Sequence, residues 1–137
     1  MSLVLHLRIA GALLILLALA HCHIARLYRW EEEAARLSPF NRQVLLVHAF
    51  FIALTVALMG ALALFWPREL ATRSALGLPI SAGLTLFWAI RLYFQWFVYD
   101  RSLWAGKRFE TLIHFAFTAM WIYLTGLFAL CLRVQLA

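Results

Sequence analysis

Ile9-Ala10-Gly11-Ala12-Leu13-Leu14-Ile15-Leu16-Leu17-Ala18-Leu19-Ala20 is an unbroken run of apolar residues. With its flanks it makes a segment over 3–26, and about 20 apolar residues suffice for a helix to cross a bilayer. Ala18-Leu19-Ala20 fits a signal-peptide cleavage site, but the only early base is Arg8. His21 also stands where a lipoprotein signal ending at Cys22 needs a small residue. The segment is therefore read as a retained helix.

Three further segments of the same kind follow, at about 43–66, 76–99 and 109–132. Hydrophobic residues make up 66% of the 137, and charged residues only 13%. A soluble domain carries about 45–50% and about 25%. The mean hydropathy is +0.88. A chain of this size cannot bury that much apolar surface in water. Disorder and disulfide scaffolds are excluded by the same numbers. The fold class that remains is an all-α integral membrane protein. Short links make antiparallel neighbours, so four transmembrane helices in an up-down bundle are expected, as one domain over 1–137.

The links carry their own signals. Residues 27–37 turn polar and read as a cytoplasmic helical extension, with Glu32–Arg36 and Arg29–Glu33 as i,i+4 pairs. Ser38-Pro39 reads as a new helix start, with Ser38 the cap and Pro39 the first helical residue. Pro67 ends the second span, and Arg68–Arg73 reads as a short polar link. Pro79 sits in the first turn of the third span, where a missing N–H is tolerated. Gly106 marks a turn in the link 100–108.

The net charge is +6. No basic block is long enough to form a nucleic-acid patch, so the bases are assigned to lipid phosphates and topology. The first and third links hold Arg26, Arg29, Arg36, Arg42, Arg101, Lys107 and Arg108, against Arg8, Arg68, Arg73 and Arg133 on the other side. That bias places both termini outside the cytoplasm. Arg outnumbers Lys eleven to one, which points to a GC-rich bacterial genome and hence to a bacterial inner membrane with periplasmic termini. Cys22 and Cys131 fall near opposite membrane faces and are read as packing residues without a bridge.

The polar residues inside the spans carry the functional argument. His21 and His23 lie at the inner end of helix 1, His48 near the start of helix 2, Arg91 and Gln95 near the end of helix 3, and His114 near the start of helix 4. Antiparallel packing brings these to one depth in the inner leaflet. At 100° per residue, Gly77, Leu84, Trp88, Arg91 and Gln95 share a face. So do Glu110, His114, Thr118, Trp121 and Thr125, and so do Ala10, Leu14, Ala18, His21 and Ala25. Asn41, His48, Thr55 and Met59 align on helix 2. His23 points away from His21, and His21 is preferred because its face is the small one. The candidate cofactor-binding set is His21, His48, Arg91, Gln95 and His114. The catalytic residues are not legible.

Haem b fits this set, with His48 and His114 as axial ligands, Arg91 on the propionates and His21 as a substitute ligand. A quinone head group fits too, with His, Gln and Arg as hydrogen-bond donors and Trp88, Phe94, Trp96 or Trp121 beside the ring. Either would make the chain a membrane electron-transfer protein. A metal site could draw on His21, His48 and His114, but Glu31–Glu33 lie about 15 Å further along helix 1 and no ExxH pair is present. Transport has no broken helix to support it. A non-catalytic accessory or assembly subunit of a larger membrane complex explains the same residues as interhelical glue, and the expected partners are the lipid bilayer and either such a complex or a homo-oligomer. For each residue alone there is a plainer account: Arg91 snorkelling to lipid phosphate, each His hydrogen-bonded between helices, the tryptophans forming interfacial belts. No nucleophile elbow, P-loop or dinucleotide fingerprint appears.

Overall fold

The computed structural model describes residues 2–27 and 34–137, with the side chains of 22–27 excepted. Its regular structure among these residues is all helical: α1 (Leu3–Leu27), α2 (Pro39–Phe65), the short α3 (Pro67–Ala71), α4 (Gly77–Phe97), a 3₁₀ turn (Arg101–Leu103) and α5 (Arg108–Leu136). Among the described residues, α1, α2, α4 and α5 are the four helices long and apolar enough to cross a membrane. At 1.5 Å per residue, the 21 residues of α4 already reach about 31 Å, the thickness of the hydrocarbon core.

The helix ends follow caps more closely than hydropathy. α2 begins at Pro39, four residues ahead of the expected span, because Ser38 Oγ accepts from Asn41 N at 3.3 Å and Pro39 needs no N–H partner. α5 runs on to Leu136, beyond the expected 132. The link after Pro67 is not merely polar coil. It forms α3, closed by Thr72 Oγ1 donating to Arg68 O at 2.8 Å. Residues 28–33 of the expected extension, with the Glu32–Arg36 and Arg29–Glu33 pairs, lie outside the described residues, as do the side chains of Cys22 and His23. Ala34 is helical, and a turn follows before Ser38.

The chain divides into two compact units, 1–67 and 68–137. In the first, α1 packs Leu7, Ala10, Leu14, Leu17 and Ala18 inward. α2 meets it with Val56, Gly60 and Ala63. Within this unit the line of α2 that meets α1 is the small-residue one and not the polar line of Asn41, His48 and Thr55. The physical reason is size. Spanning helices gain by close backbone approach at small residues, and Gly11 and Gly60 supply it. A Cβ on Gly11 would lie 2.6 Å from Leu64 N and 2.7 Å from Gly60 O.

In the second unit, contacts between Gly77 and Gln135, Trp88 and Trp121, and Gln95 and His114 run in opposite chain order, so α4 and α5 are antiparallel. Here the expected faces are the packed ones. Gly77, Ser81, Leu84, Trp88 and Gln95 are buried on α4, and Thr118, Trp121, Leu124 and Phe128 on α5. Trp88 stacks on Trp121 with centroids 5.2 Å apart and planes at 15°.

Gln135 closes the other end of this unit. Its Nε2 donates toward Thr72 O at 2.7 Å, with Glu69 O and Leu70 O at 3.2 Å, and its Oε1 accepts from Ser74 N at 3.0 Å. One amide thus serves the open carbonyl end of α3, which explains why α5 continues to this point. Gly77 leaves the room, since a Cβ there would lie 2.5 Å from the Gln135 amide. Gln135→Leu should cost about 1–3 kcal/mol, the penalty for stranding buried polar groups. Thermal unfolding in detergent reads this, and a melting point equal to wild type would show that water serves these carbonyls instead. At the opposite end, Asp100 accepts from Ser102 N at 2.7 Å, and this bond holds its carboxyl below its ordinary pKa. Gly106 takes φ +81°, the left-handed turn that favours glycine.

Candidate functional site

Three of the five candidate residues meet in the second unit. Arg91 and Gln95 stand one turn apart on α4, and His114 faces them from α5. Arg91 Nη1 donates to Gln95 Oε1 at 3.2 Å. Trp121 Nε1 donates to the same oxygen at 3.3 Å. Gln95 Nε2 lies 3.0 Å from His114 Nδ1. Gln95 is buried, while Arg91 and His114 are half-buried.

Aromatic rings hold this chain of polar groups in place. The Arg91 guanidinium sits 4.8 Å from the Trp121 ring centroid and 5.4 Å from that of Tyr99. Trp121 is itself stacked on Trp88 and on Phe117. The His114 ring lies flat on Trp104, 4.3 Å between centroids and 10° between planes. Trp104 is anchored through its carbonyl, which accepts from Thr111 Oγ1 at 2.6 Å.

This surrounding explains how an arginine is tolerated in a spanning helix. Placing it at a helix centre costs about 2.5–3.5 kcal/mol. A charge-assisted hydrogen bond returns about 1.5–3 kcal/mol, and each cation–π contact about 0.5–2 kcal/mol. The partners of Arg91 among the described residues are thus Gln95 and two rings, and the carboxylate of Glu110 is not one of them.

Arg91 also opens outward. Together with Phe87, Ile90, Phe94 and Tyr99 it lines an open cleft of about 310 Å³. The walls are aromatic and aliphatic, and the guanidinium is the charge among them. The cleft can take a flat apolar ring and meet an oxygen on it with a cationic hydrogen-bond donor.

The other two candidates lie in the first unit. His21 is half-buried, its Nδ1 2.9 Å from Leu17 O. His48 is exposed, its Nδ1 2.8 Å from Val44 O. Each imidazole is bonded to the preceding turn of its own helix. Of the expected flanking aromatics, Trp88 and Trp121 are core, Phe94 lines the cleft, and Trp96 is exposed. Among the described residues no group of three or more His, Cys, Asp or Glu side chains is placed to hold a metal ion.

Phe87 and Ile90 of the cleft escaped the sequence reading, and so did Trp104 and Tyr99. Trp104 lies in the link after α4, and no helical periodicity points from there to His114. Tyr99 lies eight residues beyond Arg91 and past the end of α4 at Phe97, about 80° off the Arg91 line by helical rotation, so the period does not point to it either. No family model matches the chain, and neither the curated proteins nor the solved structures give a match.

Proposed function

We propose that this is an integral membrane protein that holds the head group of a quinone and serves as a quinone-binding component of a membrane electron-transfer system. The observation that carries the reading is the Arg91 guanidinium set in an apolar, aromatic-walled cleft and braced by Gln95. A quinone ring needs an apolar slot, and its carbonyl oxygens need donors. Both are supplied here by one compact unit. The haem reading draws its two axial ligands, His48 and His114, from different units. The quinone reading asks nothing of the first unit and is preferred on that ground. In the full proposal the four helices form an antiparallel up-down bundle in a bacterial inner membrane, both termini face the periplasm, and the cleft lies in the inner leaflet.

The test is solvent extraction of the detergent-purified protein followed by mass spectrometry, with an absorption spectrum of the same sample. Near-stoichiometric quinone and no Soret band are expected. A Soret band that sharpens on dithionite reduction would transfer the assignment to haem. Folded protein carrying neither would overturn both.

A second reading, the accessory subunit of a larger complex, is favoured by His48. Within the first unit it is a polar ring that α1 leaves uncovered on a helix apolar enough to span a membrane, among Leu45, Val47, Phe51 and Ile52. An intramembrane polar side chain is better placed against a partner helix than against lipid. Co-purification of a stoichiometric partner in place of a quinone would support this reading.

A further inference from the structure

We propose that Gln95 fixes His114 in the tautomer that carries its hydrogen on Nε2, so that this nitrogen is a hydrogen-bond donor and not a lone pair open to a metal. The argument runs from the donors inward. An arginine guanidinium and an indole N–H have only hydrogens to give. Arg91 Nη1 and Trp121 Nε1 both reach the same atom of Gln95, at 3.2 and 3.3 Å. That atom must be the amide oxygen. Turning the amide over would set its NH₂ against two donors and leave the hydrogens of all three groups without an acceptor there.

With the oxygen so placed, the amide nitrogen faces His114 Nδ1 at 3.0 Å. An amide nitrogen donates, so Nδ1 must hold a lone pair, and the neutral ring carries its hydrogen on Nε2. Flipping the ring would put a C–H in front of the amide and lose the bond. The flat stack on Trp104 keeps the ring in the plane where this bond forms.

The contrast with the first unit sharpens the point. His21 Nδ1 and His48 Nδ1 face backbone carbonyls, which only accept. Those rings carry their hydrogen on Nδ1 and present a bare Nε2. That is the polarity of a metal-ligating histidine, whose other nitrogen donates to a carbonyl or carboxylate. His114 has the opposite polarity. Gln95 is thus a positioning residue. Arg91, which lines the cleft, selects a ligand that brings an accepting oxygen, and the tautomer set by Gln95 closes Nε2 of His114 to haem or metal. The ligand class rests on the quinone reading above, whereas the tautomer does not.

The test is nitrogen NMR of the full chain, labelled with ¹⁵N-histidine, in lipid nanodiscs at alkaline pH. The His114 signals are identified by their loss in His114→Gln. A protonated Nε2 and a bare Nδ1 are expected for His114. A protonated Nδ1 would overturn the proposal, whether or not quinone is recovered on extraction. Gln95→Glu replaces the donor by an acceptor and should move the hydrogen to Nδ1, while bound quinone falls about tenfold or more, a loss of about 1.4 kcal/mol of binding. An unchanged His114 spectrum in folded Gln95→Glu would show that Gln95 does not set the tautomer. Should Gln95→Glu fail to fold, the wild-type spectrum still decides. The expected tautomer with no quinone in the extract would leave this assignment standing and overturn the function proposed above.

Discussion

Gly11→Ala should loosen the first helical hairpin by about 1–3 kcal/mol, the usual cost of forcing extra volume into a packed contact. The new methyl would sit 2.6 Å from Leu64 N and 2.7 Å from Gly60 O. Both are backbone atoms of the facing helix and cannot swing aside as a side chain would. Gly60→Ala should cost less. Two of its three nearest neighbours are the Ile15 and Leu14 side chains at 3.0 Å, although Gly11 O stands at 2.9 Å. Gly83 and Gly126 are the controls, because a Cβ there meets nothing within 4 Å. Alanine at those positions should be neutral or stabilising, since glycine in a helix interior costs up to about 1 kcal/mol relative to alanine. Thermal unfolding of the four variants in one detergent gives the ranking. A Gly11→Ala protein as stable as Gly126→Ala would mean that α1 and α2 do not approach at this point.

Arg91→Leu should abolish quinone retention while leaving the fold intact or firmer. The two effects part for a physical reason. Removing a guanidinium from a spanning helix relieves an insertion cost of about 2.5–3.5 kcal/mol, comparable to the bonds it gives up. Gln95 Oε1 keeps one donor, Trp121 Nε1 at 3.3 Å, so no buried acceptor is stranded. The cleft keeps its apolar walls but loses its donor. A site that depends on a charge-assisted hydrogen bond of about 1.5–3 kcal/mol should then bind about 10- to 100-fold more weakly. Arg91→Lys should recover only part of the loss, because an ammonium cannot fork to Gln95 and lie over both rings as the planar guanidinium does. Extraction and melting measured on the same preparations check this. Arg91→Leu with full quinone content would reduce Arg91 to a snorkelling residue.

How far the site was legible depended on the helix. On α4 and α5 the heavy aromatics and the polar residues share one line: Trp88, Arg91 and Gln95 against His114, Thr118 and Trp121. Rotation at 100° per residue therefore found the packed face and the meeting of Arg91, Gln95 and His114. On α2 the polar line is not the one that meets α1. Its polar line, Asn41–His48–Thr55, diverges from its small-residue line, Val56–Gly60–Ala63, and packing follows the small residues because dispersion contacts between close backbones outweigh one or two polar groups. Trp104 was invisible because it reaches His114 from a link, where the backbone has no period to extrapolate. Gln135 sat beyond the expected end of α5, in a tail that hydropathy alone would discard.

By itself the sequence determined that the chain is helical and carries four helices long and apolar enough to cross a membrane, because 66% apolar residues in 20-residue runs call for a fold that satisfies the backbone within each segment. It also determined where the chain turns, through Ser38-Pro39, Pro67 and Gly106. Tertiary structure alone decided which face of α2 is packed, which donors converge on Gln95 Oε1, and which nitrogen of His114 holds the hydrogen. Those depend on distances of about 3 Å between residues far apart in the chain. A periodic pattern fixes direction around one helix axis, but not the approach of a second.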